Sequence, residues 1–207
     1  MTLPARGLYA IADTATIGSD LVSAVTAAIA GGAVLIQYRD KTADGERRRR
    51  DAAQLAQTCR DHGVALIIND DVELAAATRA DGVHLGADDT AIQEARARLP
   101  GGAIIGVSCY DSLARAQQAA RQGADYVAFG SVYPSPTKPG AVRAPLKLLS
   151  QARAQLSLPV VAIGGITPAN TAAVIEAGAN FVAVISGVFG HKDVTAAART
   201  YAGCFGR

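Results

Sequence analysis

Eight short apolar runs alternate with helix-like segments along the chain, and this alternation limits the possible folds more than any other feature. The runs cover residues 8–12, 34–38, 65–68, 82–85, 104–107, 126–129, 160–163 and 181–185, and apolar residues at helical spacing follow each of them. Continuous apolar runs of this length are typical of strands that are buried on both faces of a parallel sheet. We therefore predict an α/β fold, a single (β/α)8 barrel in which residues 1–207 form one domain. An open, doubly wound sheet is the competing fold.

A six-residue repeat supports the barrel. The sequence GADYVA at 123–128 recurs as GANFVA at 178–183. In each copy a glycine ends a helical segment and the chain then enters a strand, which is the punctuation that a repeated strand–helix unit needs. Because 207 residues are fewer than the roughly 250 that are typical of this barrel, we expect short loops.

Composition and charge argue against several classes of function. The net charge is +2 and aromatic residues make up 5% of the chain, so we expect no nucleic-acid partner. The four arginines at 47–50 lie in a helix-like segment beside Glu46 and Asp51, which indicates a solvated helix face. No signal peptide and no membrane-spanning stretch is visible, so we expect a soluble protein without a membrane partner. Three widely spaced cysteines without a CxxC pair favour a reduced, cytoplasmic location.

Acidic and amide side chains follow two neighbouring runs at the point where each run ends. The third run continues as Asn69-Asp70-Asp71, and the fourth is followed by Asp88-Asp89. If the two strands are neighbours in a parallel sheet, Asp70 and Asp89 face one cleft. Two such carboxylates suit Mg²⁺, which takes its other ligands from water and substrate phosphate. The alternative is that these aspartates only cap the helices that follow.

The carboxyl ends of the eight runs carry residues that suit oxyanions, and this edge holds the active site in barrels of this type. In chain order the residues are Asp13, Gln37, Arg39, Lys41, Asn69, Asp70, His84, Asp89, Ser108, Tyr110, Ser131, the loop 135–140, Gly164, Gly165, Ser186 and Gly187. Arg39 and Lys41 can neutralise a diphosphate together with a metal ion. The glycines at 164–165 and the pair Ser186-Gly187 precede helix starts, where backbone N–H groups can hold a phosphate. The sequence therefore predicts two anion sites in one cleft.

Seven motifs in this order resemble those of the thiamine-phosphate synthase family. They are QYRDK at 37–41, INDD at 68–71, GVHLGADD at 82–89, GVS at 106–108, PTK at 136–138, IGGI at 163–166 and ISGV at 185–188. The resemblance implies the coupling of a hydroxymethylpyrimidine diphosphate with a thiazole phosphate, which gives thiamine phosphate and diphosphate. These two phosphorylated small molecules are then the expected partners, and the oligomeric state stays open, a homo-oligomer included.

The resemblance also implies a role for individual residues. Asp70 and Asp89 would bind Mg²⁺, the implied cofactor. The pyrimidine diphosphate would be held by Gln37, Arg39, Lys41, Asn69, Ser108 and Lys138, and the catalytic residues among these would be Arg39, Lys41, Ser108 and Lys138. The thiazole phosphate would be held by Ser135, Thr137, Gly165, Ile185 and Ser186. Tyr38, Asp40 and Pro136 lie inside the same motifs and are included in the predicted substrate site.

The residues fit this chemistry, but other functions stay open. No general base is needed, because the thiazole nitrogen can attack without losing a proton, and no catalytic triad is evident. A thiazole tautomerase on the same barrel would need an acid–base residue but not the metal and diphosphate set, and a barrel that only binds the phosphorylated compounds is a third possibility. Many family members carry a threonine where this chain has Ser135, and a second lysine where it has Pro139. We expect His84 to form hydrogen bonds inside the barrel mouth and Cys109 to be a buried, inert thiol.

Overall fold

A computed structural model describes residues 2–135, 140 and 142–206. Its eight strands all pair in parallel, in chain order, and β8 pairs back with β1 to close the barrel. The strands are β1 (Gly7–Asp13), β2 (Ala33–Arg39), β3 (Ala65–Asn69), β4 (Gly82–Leu85), β5 (Ile104–Tyr110), β6 (Tyr126–Phe129), β7 (Val160–Ile163) and β8 (Phe181–Val184). The predicted (β/α)8 barrel is confirmed, and the open sheet is wrong because no strand of this sheet is left at an edge.

Helices follow the strands as the apolar spacing predicts. They are α1 (Thr14–Ile17), α2 (Leu21–Ala30), α3 (Gly45–Asp61), α4 (Val72–Thr78), α5 (Ile92–Arg98), α6 (Leu113–Arg121), α7 (Leu146–Gln155), α8 (Pro168–Glu176), α9 (Ser186–Phe189) and α10 (Val194–Ala202), with a final 3₁₀ turn over Gly203–Phe205. The sequence did not predict the single-turn helices α1 and α9, since four residues are too few to show a helical period. Among the helices that the structure describes, none is long and apolar enough to cross a bilayer.

The apolar core has two layers, because successive side chains of a strand point to opposite faces. One set, which includes Leu8, Ile36 and Val127, packs outward against the helices. The other set fills the inside of the barrel and includes Tyr9, Leu35 and Phe181. Polar side chains are left at inward positions near the carboxyl ends of the strands, the edge at which the sequence predicts two anion sites.

The six-residue repeat serves the same structural purpose in both copies. Asp125 accepts a hydrogen bond from the backbone N–H of Ile105 at 2.7 Å, and Asn180 accepts one from Val160 at 3.0 Å. Each side chain thus ties the start of its own strand to the start of the preceding strand. Asp81, before β4, does the same with Leu66 at 2.9 Å. These polar residues stabilise the amino-terminal end of the barrel, away from the cleft.

Candidate active site

The carboxyl ends of β3 and β4 bring Asp70 and Asp89 into contact. Their carboxyl groups hydrogen-bond to each other, and the ammonium group of Lys41, from the end of β2, pairs with Asp70. Burial raises the pKa of Asp89, and the neighbouring Asp70 raises it further. Burial also acts on Asp70, but its hydrogen bonds to Lys41 and Asp89 outweigh this and lower its pKa. Asp70 therefore ionises at a lower pH than Asp89, beside a cation.

Neither of these aspartates is a helix cap. Asp71 caps α4, because its carboxylate accepts a hydrogen bond from the N–H of Leu74 at 2.8 Å. Helix α5 begins after Ala91, which provides no side-chain cap. Asp89 instead accepts a hydrogen bond from the N–H of Gly86 at 2.6 Å, which folds the loop after β4 back toward the cleft. The capping alternative thus holds for Asp71 but not for Asp70 or Asp89.

The backbone at the end of β3 separates the two adjacent aspartates. Asp70 has a left-handed conformation with φ of 64°, which Asp adopts more readily than most residues. The N–H of Asp71 donates to the carbonyl of Asn69 at 2.8 Å, which completes a tight turn. This turn directs Asp70 to the partner carboxylate of the next strand and Asp71 to its helix. Non-glycine residues in such conformations are concentrated at functional sites.

The donor set fits a hard divalent cation. Two converging carboxylates are the usual protein contribution to a Mg²⁺ site, which is completed by water and phosphate oxygens. Within the part of the chain that the structure describes, no group of three or more His, Cys, Asp and Glu residues could hold a metal ion. The pair of Asp70 and Asp89 thus leaves most coordination positions of such an ion to oxygens from outside the protein.

Arg39 and Asp13 form an ion pair at the carboxyl ends of β2 and β1. The Asp13 side chain is 5% exposed and that of Arg39 is 21% exposed, so the guanidinium is held with one side open to solvent. The other oxygen of Asp13 accepts a hydrogen bond from the N–H of Ala15 at 2.9 Å and caps α1. The position of Arg39 at the rim is thereby fixed before any ligand binds.

The structure places Tyr38 and Asp40 apart from the cleft. Residues alternate along β2, so Gln37 and Arg39 face inward while Tyr38 packs in the outer layer against the helices, with 1% of its surface exposed. Asp40 is bound by Arg47 of α3 at 2.6 Å and by the hydroxyl of Tyr38 at 3.3 Å. These two predicted substrate-binding residues support the loop after β2 from behind and are not positioned to touch a ligand in the barrel mouth.

A hydrogen-bonded chain of side chains inside the barrel was not predicted. Gln37 donates to the hydroxyl of Tyr9 at 2.7 Å, which lies 2.9 Å from the hydroxyl of Tyr126. His84 lies 2.9 Å from that hydroxyl through Nδ1 and 2.8 Å from Ser108 Oγ through Nε2. The expected hydrogen bonding of His84 inside the barrel mouth is confirmed. The two tyrosines were missed because a tyrosine in an apolar run has the pattern of a core residue.

Asn69, at the end of β3, belongs to the same inward-facing set. It pairs in register with His84 of β4 and is half-buried.

Arg115 of α6 was also missed: it donates to the carbonyl of Ser108 at 2.7 Å and to that of Gly86 at 3.0 Å, so it holds the ends of β5 and β4 together. Cys109 is fully buried, as expected, and burial raises its pKa to about 12.

The carboxyl ends of β7 and β8 form a glycine-lined corner. Gly165 has a left-handed conformation with φ of 62°, and a side chain there would lie 2.3 Å from the carbonyl oxygen of Pro134. Ile185 is the residue before α9, and Ser186 begins this helix and is exposed. The first N–H groups of a helix have no acceptor inside the helix. The corner can therefore present backbone donors to a phosphate, as the sequence predicts.

The predicted residues of the loop after β6 are described only in part. Ser135 is half-buried and follows Pro134, whose carbonyl oxygen lies against Gly165 of the glycine corner. Pro136, Thr137 and Lys138 lie outside the described residues.

The run of four arginines is only partly a solvated face, because Arg48 pairs with Asp71 at 2.8 Å and Arg47 with Asp40, whereas Arg49 and Arg50 are exposed.

Comparison with known proteins agrees with this geometry. Residues 8–188 match the family model described as thiamine monophosphate synthase. The chain belongs to this family. It is 55% identical over 202 residues to the thiamine-phosphate synthase of Nitrosococcus oceani, with 97% of this chain and 93% of that protein covered. Identity to the thiamine-phosphate synthase of Thioalkalivibrio sulfidiphilus is 55% over 201 residues, with 97% and 95% covered.

A solved structure of the same family has the same fold. The thiamine phosphate pyrophosphorylase from Pyrococcus furiosus superposes with a TM-score of 0.87 at 36% identity, and 96% of this chain and 94% of that chain are covered. The family predicted from the motifs is thus confirmed, and the chain is an enzyme of thiamine biosynthesis.

Proposed function

We propose that this enzyme catalyses the Mg²⁺-dependent coupling of hydroxymethylpyrimidine diphosphate with a thiazole phosphate or its carboxylated form, releasing diphosphate. The observation that carries the proposal is the contact between Asp70 and Asp89, with Lys41 beside them, at the mouth of a barrel whose opposite side is a glycine-lined corner. One site suits a metal and a diphosphate, and the other suits a single phosphate. Two phosphorylated molecules can therefore meet over the polar interior.

Asp70 and Asp89 would hold the Mg²⁺, which supplies positive charge against the oxygens of a leaving diphosphate. Lys41 and Arg39 line the same rim and add two cations, and Lys138, outside the described residues, is proposed as a third. Arg39 offers a planar fork and Lys41 a point charge, so they suit different phosphate oxygens. Because these charges are in place before the reaction, they stabilise charge that develops in the transition state.

The pyrimidine ring would lie over the inward-facing side chains of β2, β3 and β5. Gln37, Asn69 and Ser108 are the amide and hydroxyl groups in that position. Gln37 lies on β2, whose end carries the rim cations, and Asn69 lies on the neighbouring β3. They match the hydrogen-bonding groups of an aminopyrimidine better than they match an apolar ligand. The thiazole phosphate would be held by Gly165, Ile185 and Ser186 through backbone N–H groups, with Ser135 and Thr137 from the loop after β6.

The reaction needs no proton transfer. The bond between the pyrimidinyl methylene carbon and the diphosphate oxygen breaks, and the diphosphate leaves with the electron pair. The lone pair of the thiazole nitrogen forms the new carbon–nitrogen bond to the methylene cation. Neutralising the charge of the diphosphate lowers the barrier. The reaction requires no general base, so neither His84 nor the buried tyrosines need to accept a proton.

Diphosphate release from the purified full-length chain tests this function. We expect release only when the pyrimidine diphosphate, the thiazole phosphate and Mg²⁺ are all present, with loss of activity in chelator and recovery on adding Mg²⁺. A thiazole tautomerase would instead isomerise the thiazole phosphate without the pyrimidine or the metal. A binding protein would retain both ligands and release no diphosphate.

Asp89→Asn and Asp88→Asn form a matched pair for the same assay. Asp89 contacts Asp70, whereas the adjacent Asp88 is exposed. We expect Asp89→Asn to lower kcat/KM by about a hundredfold or more, by analogy with the loss of one preorganised charge-stabilising group. Asp88→Asn is expected to stay within about twofold of the unchanged enzyme. Equal losses in both variants would contradict the metal role of the pair.

A further inference from the structure

Five side chains inside the barrel form one continuous hydrogen-bonded chain from β2 to β5. In order they are Gln37, Tyr9, Tyr126, His84 and Ser108, joined by contacts of 2.7, 2.9, 2.9 and 2.8 Å. Tyr9 and Tyr126 are almost fully buried, and the His84 ring stacks on the Tyr126 ring with centroids 5.6 Å apart. Both ends of the chain, Gln37 and Ser108, are predicted to contact the pyrimidine substrate.

Gly106 makes room for this chain. A side chain at position 106 would place its Cβ 1.9 Å from Tyr126 Cζ and 2.3 Å from the Tyr126 hydroxyl oxygen. The tyrosine ring therefore crosses the inside of the barrel over a position that must lack a side chain. This explains why a glycine lies in the middle of β5, where it would otherwise weaken a strand.

Each hydroxyl in this hydrogen-bonded series carries one proton, so the group that donates at one end sets the direction of the hydrogen bonds that follow. Burial raises the pKa of both Tyr9 and Tyr126 far above the ordinary value, so both stay protonated at neutral pH. The amide N–H of Gln37 donates to Tyr9. Tyr9 then uses its own proton toward Tyr126, because a buried hydroxyl proton without an acceptor is strongly unfavourable. By the same argument Tyr126 donates to Nδ1 of His84.

We infer that the amide of Gln37 sets His84 as the neutral tautomer with its proton on Nε2, and thereby leaves the Ser108 hydroxyl proton available for a hydrogen-bond acceptor of the pyrimidine substrate. Nε2–H of His84 donates to Ser108 Oγ, which occupies one lone pair of that oxygen. The Ser108 proton points away from His84 as a result. Tyr9, Tyr126 and His84 are thus positioning residues for Ser108, and none of them needs to touch the substrate.

The direction of the chain has a consequence for specificity. A ligand atom that faces Ser108 is favoured when it is an acceptor, such as a ring nitrogen or a diphosphate oxygen, and disfavoured when it can only donate. If the hydrogen bonds ran in the opposite direction, the preference would be reversed. Ser108 would then donate to His84 and would offer only lone pairs to the ligand. The substrate assignment rests on the proposed function, whereas the tautomer of His84 does not.

Nitrogen NMR of the ligand-free, full-length protein labelled with ¹⁵N-histidine tests the tautomer. The chain has three histidines, and His62 and His191 are exposed and serve as internal references. A His84→Gln variant assigns the His84 signals. We expect an unprotonated Nδ1 and a protonated Nε2 for His84 at neutral pH. A proton on Nδ1, alone or together with one on Nε2, overturns the inference.

Two variants show whether Gln37 sets the direction. Gln37→Glu replaces the donating amide with an accepting carboxylate, so we expect the His84 proton to move to Nδ1. Tyr201→Phe is the matched control, since Tyr201 is also buried but donates to the carbonyl of Ile166 at 3.2 Å, outside the chain. It is expected to leave the His84 tautomer unchanged. An unchanged tautomer in folded Gln37→Glu shows that Gln37 does not set it.

Kinetics connect the tautomer to the substrate. Tyr126→Phe removes the donor to Nδ1 of His84, and we expect kcat/KM for the pyrimidine diphosphate to fall about tenfold while KM for the thiazole phosphate changes less than about twofold. Equal changes for both substrates would overturn the link to Ser108. If His84 has the expected tautomer but no diphosphate is released, only the proposed function is rejected. If the enzyme is active but His84 has the opposite tautomer, only this inference is rejected.

Discussion

The carboxyl group of Asp70 hydrogen-bonds to that of Asp89 at the ends of two neighbouring strands. Two carboxylates in contact repel each other when both are ionised, so they lose their protons one after the other. Burial and the contact with Asp70 raise the pKa of Asp89, while Lys41 and Asp89 outweigh burial and lower the pKa of Asp70. A divalent cation that binds between the two carboxylates competes with the protonation of Asp89.

Magnesium binding should therefore depend on pH. Because the pKa of Asp89 is raised in the free protein, the metal competes with a proton, and this competition grows as the pH falls from 8 toward 5. We expect the increase in Tm on adding Mg²⁺ to be larger at pH 8 than at pH 5, measured at fixed protein and metal concentrations. Asp89→Asn should abolish the increase at both pH values. A metal-induced increase that is the same at both pH values for the unchanged protein contradicts metal binding at a carboxyl group with a raised pKa.

Lys41→Ala should separate catalysis from stability. The Lys41 side chain is 58% exposed and its pair with Asp70 is accessible to water, so its loss should lower the free energy of unfolding by less than about 1 kcal/mol. Its proposed partner in the reaction is the leaving diphosphate, so kcat should fall by about a hundredfold. Urea unfolding and diphosphate release measure the two effects. The control is Lys192→Ala, since Lys192 is also exposed and should affect neither. A large loss of stability with little loss of kcat would assign Lys41 a structural role.

The fold could be predicted because buried parallel strands require continuous apolar runs, and the eight runs match the eight strands within a few residues. The sequence could not show that Asp71, and not Asp70 beside it, caps α4. That difference depends on the left-handed backbone of Asp70, which a sequence of three polar residues does not specify. The two short helices α1 and α9 were missed for a related reason, since each is a single turn set by its neighbours.

The inward and outward positions of β2 could have been predicted more fully. If Gln37 and Arg39 face the interior, the period of two places Tyr38 and Asp40 on the outer face, where the structure has them. Tyr38 and Asp40 are included in the predicted site because they lie inside the motif at 37–41, and that assignment does not take the alternation into account. Tyr9 and Tyr126 are a harder case, because only the packing across the barrel brings their hydroxyls within 2.9 Å.

Asp13→Asn should destabilise the protein through Arg39. The substitution keeps an oxygen to cap α1 but removes the charge that compensates the largely buried guanidinium. Breaking a buried pair by removing one charge typically costs 3 to 5 kcal/mol, and because Arg39 is partly open to solvent we expect about 2 to 3 kcal/mol. Urea unfolding measures the loss. Asp20→Asn is the control, because Asp20 is exposed and forms no side-chain cap at the start of α2, so it should change stability by less than about 0.5 kcal/mol. Similar losses in both variants would show that the pair with Arg39 contributes little.

Gly165→Ala should weaken binding of the thiazole phosphate beyond the cost of backbone strain. Gly165 and Gly63 have nearly the same left-handed conformation, with φ of 62° and 67°. A Cβ at Gly63 meets nothing within 4 Å, whereas one at Gly165 lies 2.3 Å from the carbonyl oxygen of Pro134. Both alanine variants should therefore lose about 1 to 2 kcal/mol of stability from strain alone.

Only Gly165→Ala should also displace the loop after β6 from the glycine corner. We expect the KM for the thiazole phosphate to rise at least about tenfold in this variant, because backbone donors that hold a phosphate depend on that close approach. The KM for the pyrimidine diphosphate should change far less, since Lys41, Asp70 and Asp89 lie at the ends of other strands. Steady-state kinetics with each substrate varied in turn give both values, and Gly63→Ala corrects for strain. If the two variants raise the KM for the thiazole phosphate equally, the glycine corner is not the phosphate site.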